Sequence, residues 1–271
     1  MKRVLTAVCA AFVATSASAG AECSVGKTLT DGVLTIATGN PAYYPWVMDD
    51  APESKQGFEA AVAYAIANEM GFDDSAVTWV RTSFDEAIQP GSKNFDFNMQ
   101  QYSITPEREE MVDFSLPYYS SPMAILSTKS IAEKVGDPAP DALKDLIWGA
   151  MAGTTGATMI DDVVGPTKST LLYSDNADVT AAMQAGQIDA ALFDLPTALY
   201  LSAVVVNDGA LLGQFPADRS QNPDQFGALM EDGNPIKACV DEAIQALTDS
   251  GKLAELEAEW LEAATGVPVI K

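Results

Sequence analysis

The residues best equipped for chemistry lie in one stretch, Gln100-Gln101-Tyr102-Ser103-Ile104-Thr105-Pro106-Glu107-Arg108. Ser103 and Thr105 place two hydroxyls two residues apart, Pro106 suits the first position of a helix, and Arg108 follows within the first turn. A hydroxyl, spare backbone N–H groups at a helix start and a guanidinium fork together suit a carboxylate. The same residues also fit a plain capped helix, with Thr105 as N-cap and Arg108 paired to the acids beside it. Two other turns carry complementary groups. Gly153-Thr154-Thr155-Gly156 follows one apolar run, and Ala190-Ala191-Leu192-Phe193-Asp194 ends in a carboxylate. Set at the ends of strands in an open α/β sheet, these turns offer a cation and N–H groups for a carboxylate, and an anion for an ammonium.

The elements needed to hold those turns can be read from periodicity. Leu34 to Thr38 reads as a strand, followed by a loop carrying Tyr43, Tyr44 and Trp46. Phe58 to Met70 puts Phe58, Val62, Ala65, Ile66 and Met70 on one helical face, and Gly71 closes it. Val77 to Val80 and Phe95 to Met99 are strands, with a helical turn at Phe84 to Ile88 between them. After Met123 to Ser127 the pattern repeats: strands at Trp148 to Met151 and Ala190 to Asp194, helices at Ala142 to Leu146, Val179 to Ala185 and Pro196 to Ala203. Gln214 to Phe226 reads as a polar loop, Phe226 to Met230 as a strand, and Pro235 to Ala264 as two helices split at Ser250-Gly251. This alternation describes an α/β protein with mostly parallel sheets.

Met1-Lys2-Arg3, the apolar Val4 to Val13 and the small residues to Ala21 have the order of a secretory signal peptide. The apolar run is shorter than the roughly 20 residues a membrane span needs. Cleavage predicts an exported, soluble chain, and Glu22 ahead of Cys23 argues against a lipid anchor. Of three cysteines, Cys9 leaves with the signal, so Cys23 and Cys239 are expected to pair in an oxidising compartment. Removing Lys2 and Arg3 leaves 13 basic residues against 38 acidic ones, a formal charge of −25. Such a surface repels phosphate backbones, which disfavours nucleic acid as a partner.

The order Tyr-Tyr-Pro-Trp; Gly-Phe-Glu; Ser-Ile-Thr-Pro-Glu-Arg; Val-Asp-Phe-Ser-Leu-Pro-Tyr-Tyr; Gly-Thr-Thr-Gly; Ala-Leu-Phe-Asp; Gly-Asn-Pro and a final Glu-Trp-Leu resembles the family 3 solute-binding proteins of bacterial ABC importers for polar amino acids. Ser103 to Arg108 with Val112 to Tyr119 is the most specific part. The resemblance implies a type II periplasmic-binding-protein fold, two lobes joined by a two-segment hinge. It divides the chain into a signal peptide at 1–21, a discontinuous lobe 1 at 22–119 and 215–271, and lobe 2 at 120–214.

It also implies roles. Arg108 forms a bidentate pair with the ligand α-carboxylate, completed by Ser103 and the backbone around Thr155, with Thr154 beside it. Asp194 takes the α-ammonium, helped by the carbonyl at Gln101. Tyr43 or Tyr44 on one side and Phe84 on the other flank the ligand side chain. Asn40 stands where binders of basic amino acids often carry Asp, which makes a cationic side chain a less expected ligand, although Glu59 and Asp85 lie close enough in sequence to compensate. Arg81 and Gln89 are placed to reach an acidic or amide side chain. Family members usually have Gly or Ser at the position of Gln101.

The expected function is periplasmic capture of an amino acid or derivative by a monomer that docks on an ABC permease, with no cofactor, metal or catalysis. The alternative on the same fold is a secreted prephenate-type dehydratase. The chain has no histidine, so the commonest general acid/base is missing.

Overall fold

The computed structural model describes residues 23–136, 138–215, 224–261 and 267–270. The proposed signal peptide and Glu22 lie outside them. The chain forms two five-stranded sheets, each with its own helices and core.

The first sheet has the order β2-β1-β3-β10-β4, from β1 (Leu34–Gly39), β2 (Val77–Thr82), β3 (Phe97–Asn98), β4 (Val112–Ser121) and β10 (Asp224–Glu231). β1 runs parallel to β2 and β3, whereas β10 is antiparallel to both β3 and β4. Four of the five strands therefore share a direction. β1 lies inside the sheet between β2 and β3, and its Leu34, Ile36 and Ala37 are fully buried, as expected of a strand covered on both faces. One cover is the helix Phe58–Glu69 with the C-terminal helices Lys237–Asp249 and Lys252–Leu261.

The second sheet repeats the plan as β7-β6-β8-β5-β9, from β5 (Met123–Thr128), β6 (Trp148–Met151), β7 (Leu171–Tyr173), β8 (Ala190–Asp194) and β9 (Gly209–Phe215). Here β5 alone runs against the rest. Strand alternation sorts its core cleanly: Met123, Ile125, Ala190 and Leu192 face one cluster, and Ala124, Leu126, Ala191 and Phe193 the other.

The reversed strands β5 and β10 are the ones that enter each lobe from the other. β4 passes into β5 through the single residue Pro122, and β9 ends at Phe215 before β10 begins at Asp224. The first expected crossing, at Tyr119 to Pro122, is thus a continuation of sheet strands, and the second passes through residues 216–223, which lie outside the described ones. Of the loop expected over Gln214 to Phe226, Gln214 and Phe215 end β9 and Asp224 to Phe226 begin β10, and the ten-residue β4 had no counterpart in the periodicity.

One assignment to lobe 1 is corrected by the backbone. Residues 267–270 pair with β9 of the second sheet, where Gln214 N–H donates to Pro268 O at 2.7 Å and Ile270 N–H to Gln214 O at 2.9 Å. Ile270 is buried in that lobe's core. Gly213 permits the approach, since a Cβ there would stand 2.8 Å from Ile270 Cγ1 and 3.0 Å from Pro268 O. Cys23 and Cys239 form the expected disulfide, with Cα atoms 5.7 Å apart, and tie the start of the described chain to the helix Lys237–Asp249.

Candidate functional site

Between the two sheets lies a cavity of about 240 Å³. Asn40, Tyr43, Phe84, Gln101, Ser103, Arg108, Thr154, Thr155 and Asp194 all line it. Tyr44 does not. It packs against Tyr200 of the other lobe, with ring centroids 4.5 Å apart, so of the two tyrosines only Tyr43 forms a cavity wall.

On the first lobe the stretch 100–104 is clamped from two sides. Ser103 bridges to Phe226 of β10, and Ile104 N–H donates to Gln225 O at 2.8 Å. Behind it Glu59, 1% exposed on the helix Phe58–Glu69, accepts from Gln101 N–H at 2.8 Å, from the Gln101 side-chain amide and from the Tyr118 hydroxyl. Burial pushes the Glu59 carboxyl up to about 7, and those three donors hold it lower than burial alone would. Gln101 has φ of +53°, a region costly for a residue with a Cβ.

Arg108 sits in the short helix Pro106–Glu109, capped by Thr105, whose Oγ1 accepts from Arg108 N–H at 3.3 Å. Both sequence readings of Thr105 and Arg108 meet here, because the cap is real but the arginine does not turn to its acidic neighbours. Its side chain is buried. Nη1 donates to Ser103 O at 2.7 Å, and Nη2 donates across the cleft to Gly153 O at 2.9 Å. The guanidinium lies 5.5 Å from the Phe84 ring, which stacks on Tyr102 at 4.6 Å. Burial lowers the Arg108 pKa, opposed chiefly by the nearby Asp224.

On the second lobe both groups stand at helix starts. Thr154 caps the helix Thr155–Met159, accepting from Ala157 N–H at 3.2 Å and donating to Met151 O at 2.8 Å. Gly156 lets that helix approach β8, since a Cβ would meet Leu192 O at 2.8 Å. Asp194 ends β8 and caps the helix Leu195–Tyr200, its Oδ1 accepting from Thr197 N–H at 2.8 Å. Burial pushes the Asp194 carboxyl up to about 7; the Thr197 donors oppose this and Asp224 adds to it.

The lobes touch through these same residues. Ser103 Oγ and Thr155 Oγ1 are 3.2 Å apart, and Trp46 Nε1 donates to Thr197 Oγ1 at 2.8 Å. Trp46 is a buried core residue that also reaches the facing lobe. Arg81 is committed to Asp50, with Nη1–Oδ1 at 2.6 Å, so it is not free to meet a ligand side chain. Among residues the sequence reading missed, Asp224 is the most consequential: its carboxylate lines the cavity and accepts from Thr155 Oγ1 at 3.3 Å. The one signal in the sequence was an acid two residues ahead of the strand expected from Phe226. Asp175 and Gln100 also line the cavity. No cluster of three or more metal-ligating side chains occurs among the described residues.

Two mixed α/β lobes, joined at Pro122 between β4 and β5 and enclosing a charged cavity, define the fold of the type II periplasmic solute-binding class. The chain belongs to the bacterial extracellular solute-binding proteins, family 3, whose model matches residues 34–263. An arginine-binding periplasmic protein of Mannheimia haemolytica is 25% identical over 244 residues, covering 87% of this chain and 94% of that protein. Among solved structures, an amino acid ABC transporter substrate-binding protein from Streptococcus pneumoniae bound to L-arginine aligns with a TM-score of 0.67 and 26% identity, over 86% of this chain and 93% of the other. An ancestral amino acid-binding protein described as a precursor of cyclohexadienyl dehydratase aligns with a TM-score of 0.66 and 25% identity, over 84% and 95%.

Proposed function

We propose that this protein captures an α-amino acid or a derivative in the periplasm and delivers it, as a monomer without a cofactor, to the permease of an inner-membrane ABC importer. The observation that carries the reading is the convergence of Arg108 from one lobe and Asp194 from the other on a single cavity. Arg108 holds the α-carboxylate, with the hydroxyls of Ser103 and Thr155 completing the cradle. Asp194 holds the α-ammonium and the Gln101 carbonyl assists. Phe84 and Tyr43 flank the side chain. Cross-cleft bonds from Arg108 to Gly153 and from Trp46 to Thr197 support closure of the lobes on the ligand. The amino-acid ligands named for the Mannheimia and Streptococcus proteins support the substrate class.

The dehydratase reading has weaker support. The chain has no histidine, and of the two buried carboxyls raised to about 7, Glu59 is tied by Gln101 and Tyr118 away from the cavity lining, while Asp194 lines the cavity but is committed to Thr197 N–H as a helix cap. Calorimetry against the L-amino acids tests the proposal, with saturable one-to-one binding expected. Turnover of a prephenate-like acid without any amino-acid binding would reverse the order of the two readings. Small-angle scattering should show compaction when ligand is added, and an unchanged radius of gyration counts against the clamp.

A further inference from the structure

A site that binds a zwitterion between one arginine and one aspartate is balanced: each charge of the ligand meets one of the protein. Asp224 upsets that balance. It stands at the start of β10, lines the same cavity and accepts from the Thr155 hydroxyl, which is itself 3.2 Å from the Ser103 hydroxyl. Arg108 and Asp194 both feel its charge. Its carboxylate thus takes up the Thr155 hydroxyl, one member of the cradle assigned above to the ligand carboxylate. The cleft then carries Arg108 against Asp194 and Asp224, a negative surplus to which Asp175 adds.

The opposite end of the cavity is electronegative as well. Asp175 lines it, and burial together with Asp175, Asp178 and Asp50 raises the pKa of the Tyr43 hydroxyl there. Arg81, the cation next to Asp50, is spent on that carboxylate and on Gly39 O. Asn40 of the first lobe and Asp175 of the second line the same cavity.

We propose that Asp224 is a specificity-determining residue: it competes with the ligand carboxylate for the Ser103–Thr155–Arg108 cradle and so selects amino acids that bring a surplus positive charge. Dibasic amino acids reduce the negative surplus, neutral ones leave it unchanged, and acidic ones add to it. This rests on the α-amino-acid reading of the cleft.

The test is a calorimetric series with L-lysine, L-arginine, L-glutamine, L-glutamate and the decarboxylated cations agmatine and cadaverine, on wild type and on Asp224→Asn. The variant is nearly isosteric, and its melting temperature is measured first to establish that it is folded. Wild type should bind the dibasic amino acids at least about tenfold more tightly than glutamine and reject glutamate. In Asp224→Asn that ratio should shrink about tenfold, mainly through tighter glutamine binding. An unchanged ranking in the variant, or a wild type that prefers neutral amino acids, overturns the role of Asp224 and leaves the amino-acid site standing. Binding of no amino acid at all overturns both. Agmatine or cadaverine binding as tightly as lysine also overturns both, because Asp224 would then fill the cradle permanently.

Discussion

The first-lobe face of the cleft is held by buried side chains, whereas the second-lobe face is held by helix caps. Arg108 is locked by Ser103 O, Gly153 O and the Phe84 ring, and the loop beneath it rests on the buried Glu59 and its partners Gln101 and Tyr118. Thr154 and Asp194 instead double as N-caps, so each side chain near the ligand also secures the first turn of a helix. A face built on buried charge keeps its geometry through packing and loses heavily when one member is removed. A face built on caps is cheaper to alter, and function and stability there can be separated by the choice of substitution.

The largest effect should come from Arg108→Ala. Truncating one partner of a desolvated charge pair costs about 2 to 5 kcal/mol, so amino-acid affinity should fall about thirtyfold or more. Circular dichroism should show the fold retained, and unchanged affinity by calorimetry would sink the carboxylate assignment. The supporting layer makes its own prediction. Glu59 has a pKa of about 7 in the folded protein against 4.5 for the free side chain, so the native state holds its proton to higher pH than the unfolded state. Stability from this residue is complete below about pH 4.5 and declines as pH rises through about 7, by about 3 kcal/mol in all. Guanidinium unfolding at intervals between pH 4.5 and 8 should show that decline in wild type and a flatter profile in Glu59→Gln. Equal slopes would mean that Glu59 is ionised throughout and that the first-lobe face rests on something else.

The contrast between the faces also explains what could be read from sequence. Arg108, Ser103, Thr154, Thr155 and Asp194 were legible because each sits in a local motif, a cap or a strand end, whose chemistry is written within a few residues. Glu59 and Asp224 were not, since what makes them matter is long-range: Glu59 meets Gln101 from 42 positions away, and Asp224 meets Thr155 across 69. Most strands and helices followed their periodicity. The long β4 hid behind Pro117 and the register shifts opposite Phe226 and Gly227. The glycines of β9 suppress a strand signal at Gly209 and Gly213, and Gly213 is required by the docking of residues 267–270 rather than by the strand itself. The resemblance leaves Tyr43 or Tyr44 for the cavity wall, and the tilted packing of Tyr44 against Tyr200 is a contact between lobes that no local pattern encodes.

The second-lobe face offers the smaller and more discriminating pair. Asp194→Asn keeps an equally good N-cap, so the melting temperature of the unliganded protein should barely move. Affinity should fall by at least about 1.5 to 3 kcal/mol, the range for a hydrogen bond to a charged group. Because the Asp194 carboxyl stands at about 7 in the cleft and an ammonium favours its ionised form, wild-type affinity should weaken as pH drops below about 7. Replacement of Asp194 by Asn should reduce that dependence. Thr154→Ala should do the reverse, losing about 1 kcal/mol of stability with the cap while affecting affinity less, since Thr155 rather than Thr154 bonds to Ser103 and Asp224. A Thr154→Ala protein with full stability and lost affinity, beside an Asp194→Asn protein with the opposite profile, would mean that the caps and the ligand contacts have been assigned to the wrong residues.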